Sequence, residues 1–136
     1  MTSTRAAQEK AATPAIPDPS AAVLYVCAER GRLAPTLAAE RAEQEGREFA
    51  ATRGLCLVEV VTDVYGEPEP CHRAGWTRVR ELAATGKVGV LIVRWPAAIS
   101  PDATHEVRHR EIRWLQDRGV QVRYSWAPLT ADGELK

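Results

Sequence analysis

A chain of 136 residues, 45% of them hydrophobic, suffices for one soluble globular domain with a proper core. Eighteen basic and eighteen acidic side chains cancel, so bulk charge singles out neither nucleic acid nor a membrane surface, and only a local patch could do so. Three cysteines cannot all pair within one chain, and no apolar run has the length of a signal peptide or a membrane span. A reduced, cytoplasmic protein is therefore expected.

Residues 1–20, MTSTRAAQEKAATPAIPDPS, hold three prolines, small residues and scattered charge. They offer too little apolar area to offset the entropy of ordering, so a disordered N-terminal tail is expected, with one domain over 21–136. AAVLYVC (21–27) is a continuous apolar run of strand length, the pattern of a strand covered on both faces. Pro35-Thr36 then opens a helix to about Arg53, with Thr36 as N-cap and Gly54 as C-cap; Gly46 is an internal weak point.

LCLVEVVTD (55–63) reads as a second buried strand, and VYGEPEPCH (64–72) as a surface loop. Trp76, Val79, Leu82 and Ala83 recur at helical spacing over 74–85, and Gly86 stops that helix. VGVLIVR (88–94) is the most strand-like segment, and WPAAISP is a loop whose prolines forbid a ladder. Asp102 caps a predicted helix to Arg118, with Val107, Ile112 and Leu115 inward, and VQVRYSW (120–126) is a fourth strand. The order β-α-β-α-β-α-β predicts a three-layer α/β/α domain with a mainly parallel sheet of four or more strands. Sites in such sheets form at the C-terminal strand ends, here 27–32, 63–73 and 94–102.

Several motifs invite a chemical reading. HEVRH, His105 to His109, matches the zinc-helix pattern, yet Arg108 and Arg110 make the stretch cationic and His72 is the only other histidine, so no metal is expected. Cys71-His72 would need a thiol and its base to converge, whereas neighbours in an extended loop point apart. Cys27, at a strand end, is the better-placed thiol, and Cys56 within a strand reads as core. No glycine-rich phosphate loop exists, and no cofactor is expected. Glu29 and Asp63 end neighbouring strands, where paired acids could serve as acid and base. Arg108, Arg110 and Arg113 make one helix locally basic, partly compensated by Glu106, Glu111 and Asp117 in a solvated face.

From about Val23 to Leu135 the sequence resembles the catalytic domain of serine recombinases of the resolvase/invertase type. Tyr25 stands where that family has the tyrosine of Tyr-x-Arg-x-Ser; EFAATRGLCLVEVVTD resembles its helix end, Arg-Gly and strand ending in aspartate. HRAGWTRVRELAATGKVGVLIVR resembles its Arg-x-Gly-Leu turn, helix and central strand, and LQDRGVQVRY its Leu-x-x-x-Gly-Val approach to a strand. The resemblance implies the same α/β fold, and an activity in which a serine attacks a DNA phosphodiester amid arginines that stabilise the transition state. Position by position, the implied nucleophile falls on Glu29 and the arginine before it on Cys27. The family's Asp-Arg-Leu-x-Arg run falls on Ala97, Ala98, Ile99, Ser100 and Pro101, while Tyr25, Asp63 and Arg73 are retained.

A carboxylate at position 29 repels a phosphate. The expectation is thus a recombinase-like domain without recombinase catalysis, acting as a binding or regulatory module. The partners expected are a related recombinase, another protein, or DNA held weakly and non-specifically by the basic helix; no membrane contact is expected. The family's dimerising helix would follow at about TADGELK, where this sequence stops, so synaptic assembly is not expected of it. The alternative is an enzyme that reuses the cleft, with Cys27 as reactive thiol.

Overall fold

The computed structural model describes residues 18–126. Strand β1 (Ala21–Ala28) owes its central place to its apolar run: Val23 and Tyr25 bury on one face, Ala22, Leu24 and Val26 on the other. It is flanked by β2 (Cys56–Val64) and β3 (Val90–Val93), and β3 in turn by β4 (Gln121–Tyr124), giving the order β2-β1-β3-β4 with every pair parallel. Helix α1 (Leu37–Arg53) covers one face through Ala42 and Ala50; α2 (Ala74–Ala84) and α3 (His105–Gln116) cover the other. This is the expected three-layer parallel α/β domain. Of the expected N-terminal tail only residues 18–20 are described; the rest of it, and residues 127–136, lie outside the described residues.

Two glycines shape helix α1, one by close packing and one by ending it. A Cβ on Gly46 would stand 2.4 Å from Leu24 Cδ1, so the residue read as a weak point in α1 is where that helix closes onto β1. Gly54 takes φ 70 at the end of α1, and its amide satisfies the carbonyls of Ala50 and Ala51. On the opposite face Trp76 is completely buried and meets Tyr25 edge-on, with ring centroids 5.1 Å apart. Such a pair contributes about 0.5–1.5 kcal/mol beyond its buried area.

Some expectations fail for identifiable reasons. Strand β2 is an edge among the described residues: it has one neighbour there, a bulge at Val58 between the Ala22–Leu57 and Val23–Glu59 pairs, and exposed Cys56, Val58 and Val64. Cys56 is therefore surface, not core. Thr36 flanks α1, but its hydroxyl donates to the Glu40 carboxylate instead of accepting from the helix backbone. Asp102 does not cap α3; it begins a 3-10 turn (Asp102–Thr104) and pairs with Arg108 at 2.8 Å. Glu111 does not belong to a solvated face, because it is fully buried.

Candidate functional site

The C-terminal ends of β1 and β2 bring Tyr25, Asp63 and Arg73 together. The Tyr25 hydroxyl donates to Asp63 Oδ2 at 2.7 Å, and the Asp63 carboxylate accepts the amides of Gly75 (2.9 Å) and Trp76 (3.0 Å). Helix α2 has no side-chain cap of its own, so Asp63, reaching from β2, serves as its N-terminal acceptor. A Cβ on Gly75 would lie 2.6 Å from Asp63 Oδ2. The glycine of the Arg-x-Gly turn is thus required by the carboxylate's approach.

Arg73 is 5% exposed and is consumed by the fold: Nε donates to the Glu67 carbonyl at 2.8 Å, and Nη1 to Tyr25 Oη (3.2 Å) and the Ala98 carbonyl (2.9 Å). Its Nη2 is buried without an acceptor among the described residues. Burial, reinforced by the neighbouring Cys27 and the Asp63 bond, drives the Tyr25 phenol far above its ordinary range. It stays a neutral donor.

The positions implied to carry nucleophile and arginines look different. Cys27 is half-buried beside this cluster, and burial pushes its thiol pKa up despite the opposing Arg73 charge, which disfavours the thiolate. Glu29 stands exposed in the loop after β1, while both Asp63 oxygens are already engaged, so the structure records no Glu29–Asp63 contact. Ala98, which ends a 3-10 turn (Pro96–Ala98), forms a buried plug with Ile99 and Ser100, and Pro101 and Ala97 are half-buried. Ser100 Oγ donates to the Pro68 carbonyl, tying this loop to the one before α2. Where the resemblance implies arginines aimed at a phosphate, the chain has apolar packing.

A second polar centre was not legible as one. Glu111 accepts from Trp76 Nε1 (2.8 Å), Arg80 Nε (3.0 Å), Arg110 Nε (2.9 Å) and, more loosely, Cys71 Sγ (3.6 Å). It thereby locks α3 to α2 and to the 3-10 turn Pro70–His72. The signal was spacing: Val107, Glu111 and Leu115 stand at i, i+4 and i+8, so the glutamate shares the inward stripe. Glu69, Cys71 and Glu111 form one cluster of metal-ligand type among the described residues. Arg110 bonds both carboxylates and Arg80 bonds Glu111, so guanidiniums already supply the countercharge.

The remaining sequence candidates separate. Cys71 turns toward Glu111, whereas His72 faces Glu67, its Nδ1 3.6 Å from that carboxylate, so the two do not form a thiol–base pair. Arg108 is spent on the Ser100 carbonyl and Asp102, and Arg110 on Glu69 and Glu111. Arg113 is exposed and makes no side-chain hydrogen bond or ion pair among the described residues. His105 and His109 are exposed and stack edge-on at 5.7 Å. No described helix is long and apolar enough to cross a membrane.

This topology is the fold of the catalytic domain of serine recombinases. The C-terminal catalytic domain of ISC1926 TnpA, an IS607-like serine recombinase, superposes with a TM-score of 0.68 at 17% identity, over 79% of this chain and 71% of that one. The N-terminal catalytic domain of TP901-1 integrase superposes with a TM-score of 0.64 at 10% identity, over 77% of this chain and 76% of that one. No family model matches the sequence, and no curated protein matches it.

Proposed function

We propose that this chain is a recombinase-fold domain that works by binding, as a regulatory module, and does not cut or join DNA. The observation that carries this reading is the internal use of the site: Arg73, Tyr25 and Asp63 are wired to one another and to the backbone. Cys27 and Glu29 occupy the places implied for arginine and serine, and the 97–101 segment contributes apolar packing. Phosphoryl transfer requires an activated nucleophile and positive charge around the phosphate. Neither is assembled by these residues.

The partner this surface suits best is a protein, such as a related recombinase. Two of the three arginines of α3 are engaged within the fold, which leaves Arg113 for phosphate. A rival enzymatic use of Cys27 is disfavoured by the burial that raises its pKa. The test is titration of labelled duplex and single-stranded DNA at low and physiological salt, with cleavage read on the same samples. The reading expects weak, sequence-indifferent binding that physiological salt abolishes, and no cleavage. Glu29→Ser is expected to restore none. Tight, sequence-selective binding at physiological salt, or cleavage by the Glu29→Ser chain, would overturn it.

A further inference from the structure

From β1 the chain passes through α1 to β2 on one side, and from β2 it crosses back through α2 to β3 on the other. The strand order therefore reverses between β1 and β3, with α1 on one face and α2 and α3 on the other. In open parallel α/β sheets the crevice beyond the strand ends at that reversal is where ligands bind. Here it is occupied by a cavity of about 420 Å³, within the size range of small-molecule sites. The cavity opens on the α1 face through Leu24, Val26, Ala38 and Ala42, and Tyr25 and Cys27 also line it, so it adjoins the Tyr25–Asp63–Arg73 cluster.

Its walls state the chemistry they would accept. Leu24 and Val26 of β1 and Ala42 of α1 make an apolar floor, small at the helix side and suited to a flat ring. Tyr65 and the exposed Trp95 supply aromatic surface at the rim. Arg94 is the one cationic residue in the lining, and its guanidinium lies 4.5 Å from the Trp95 ring centroid. Glu45 Oε1 is 3.0 Å from Arg94 Nε but off the N–H direction, so the pair has its charge contact while Nε is buried with no hydrogen-bond acceptor among the described residues. Glu45 holds the Nε side of this guanidinium, and the exposed end of the side chain is what can donate to a ligand oxygen. Glu29 stands exposed at the β1 side of the mouth, which keeps an anionic group away from that end and toward Arg94.

We infer that this cavity binds a small aromatic carboxylate, its ring over the Leu24–Val26–Ala42 floor and its carboxylate accepting from Arg94. The site stands apart from the proposed binding role, and either can fail without the other. The test uses the full chain with 2-naphthoate, and with neutral 2-naphthalenemethanol as the control, followed by calorimetry and tryptophan fluorescence. One 2-naphthoate per chain is expected, quenching Trp95 and binding about tenfold tighter than the alcohol, as a charge-assisted contact gives. Arg94→Met is expected to erase that preference while leaving ring binding. Ala38→Trp, on the exposed first turn of α1 at the cavity wall, is expected to block both ligands with an unchanged unfolding midpoint. Should that variant unfold, Trp95→Ala, at an exposed rim position, is the substitute and is expected to weaken both ligands. No binding at millimolar 2-naphthoate, equal affinity for acid and alcohol, or binding indifferent to these cavity variants would overturn the inference.

Discussion

The approach of Asp63 to helix α2 gives the sharpest prediction about this fold. Gly75→Ala places a methyl carbon 2.6 Å from Asp63 Oδ2 and 2.7 Å from both Cγ and Oδ1, so the carboxylate must move. It then loses the amides of Gly75 and Trp76 and strains the Tyr25 bond. At about 1.5 kcal/mol for each hydrogen bond to a charged group, the two amides represent about 3 kcal/mol. Alanine's better helix propensity returns up to about 1 kcal/mol, leaving a net loss of about 2 kcal/mol. Asp63→Ala alone is expected to cost about 3 kcal/mol or somewhat more, because the Tyr25 hydroxyl is left without its acceptor. In the double variant the clash has vanished, so Gly75→Ala is expected to be neutral or stabilising by up to about 1 kcal/mol. Chemical denaturation followed by circular dichroism measures all four proteins. If Gly75→Ala costs the same with and without the Asp63 side chain, the carboxylate is not what excludes a Cβ there, and the account of the Arg-x-Gly turn is wrong.

Three further outcomes follow from the same contacts. Glu111→Gln keeps the size of the side chain and one acceptor for Trp76, but leaves Arg80 and Arg110 without their shared charge; because both guanidiniums can reach solvent, we expect a loss of about 2 kcal/mol, smaller than for a wholly buried pair, and an unchanged stability would refute the hub. Cys27 has a raised folded pKa through burial, so its contribution to stability is whole below the thiol's ordinary 9.0 and is lost as pH rises through the folded value; the unfolding free energy should fall above about pH 9, and less so in Cys27→Ala. At pH 8 exposed Cys56 should alkylate well before Cys27, as read by mass spectrometry of peptides, and a Cys27 that reacts first would favour the reactive-thiol alternative.

How far the sequence alone carries can be judged element by element. The runs around Val23 and Leu91 were legible because strands covered on both faces need apolar residues at every position, and the helix of Trp76, Val79 and Leu82 because its stripe is periodic. Strand β2 has a similar apolar content, and nothing local reveals that its far side has no neighbouring strand among the described residues; Cys56 was misplaced for that reason. Glu111 looked solvated among arginines because its partners Trp76 and Arg80 lie more than thirty residues earlier in the chain. Tyr25, Asp63 and Arg73 could be named from the family resemblance, but their mutual engagement required coordinates. The mouth of the cavity beside Arg94 falls at the strand ends where the parallel order places a site, but its floor of Leu24, Val26 and Ala42 reads as ordinary core, so the cavity itself required coordinates.

The central claim, that a recombinase fold here operates without recombinase chemistry, is tested most directly by trapping protein on DNA. The full chain is incubated with end-labelled supercoiled and nicked DNA, denatured abruptly, and resolved for covalent protein–DNA adducts, with any linked residue mapped by mass spectrometry. The account predicts no adduct and no strand breakage, because Glu29 repels phosphate and the segment from Ala97 to Pro101 presents it with no arginine. A phosphodiester link from a residue of this chain to a DNA end, lost when that residue is replaced, would contradict it.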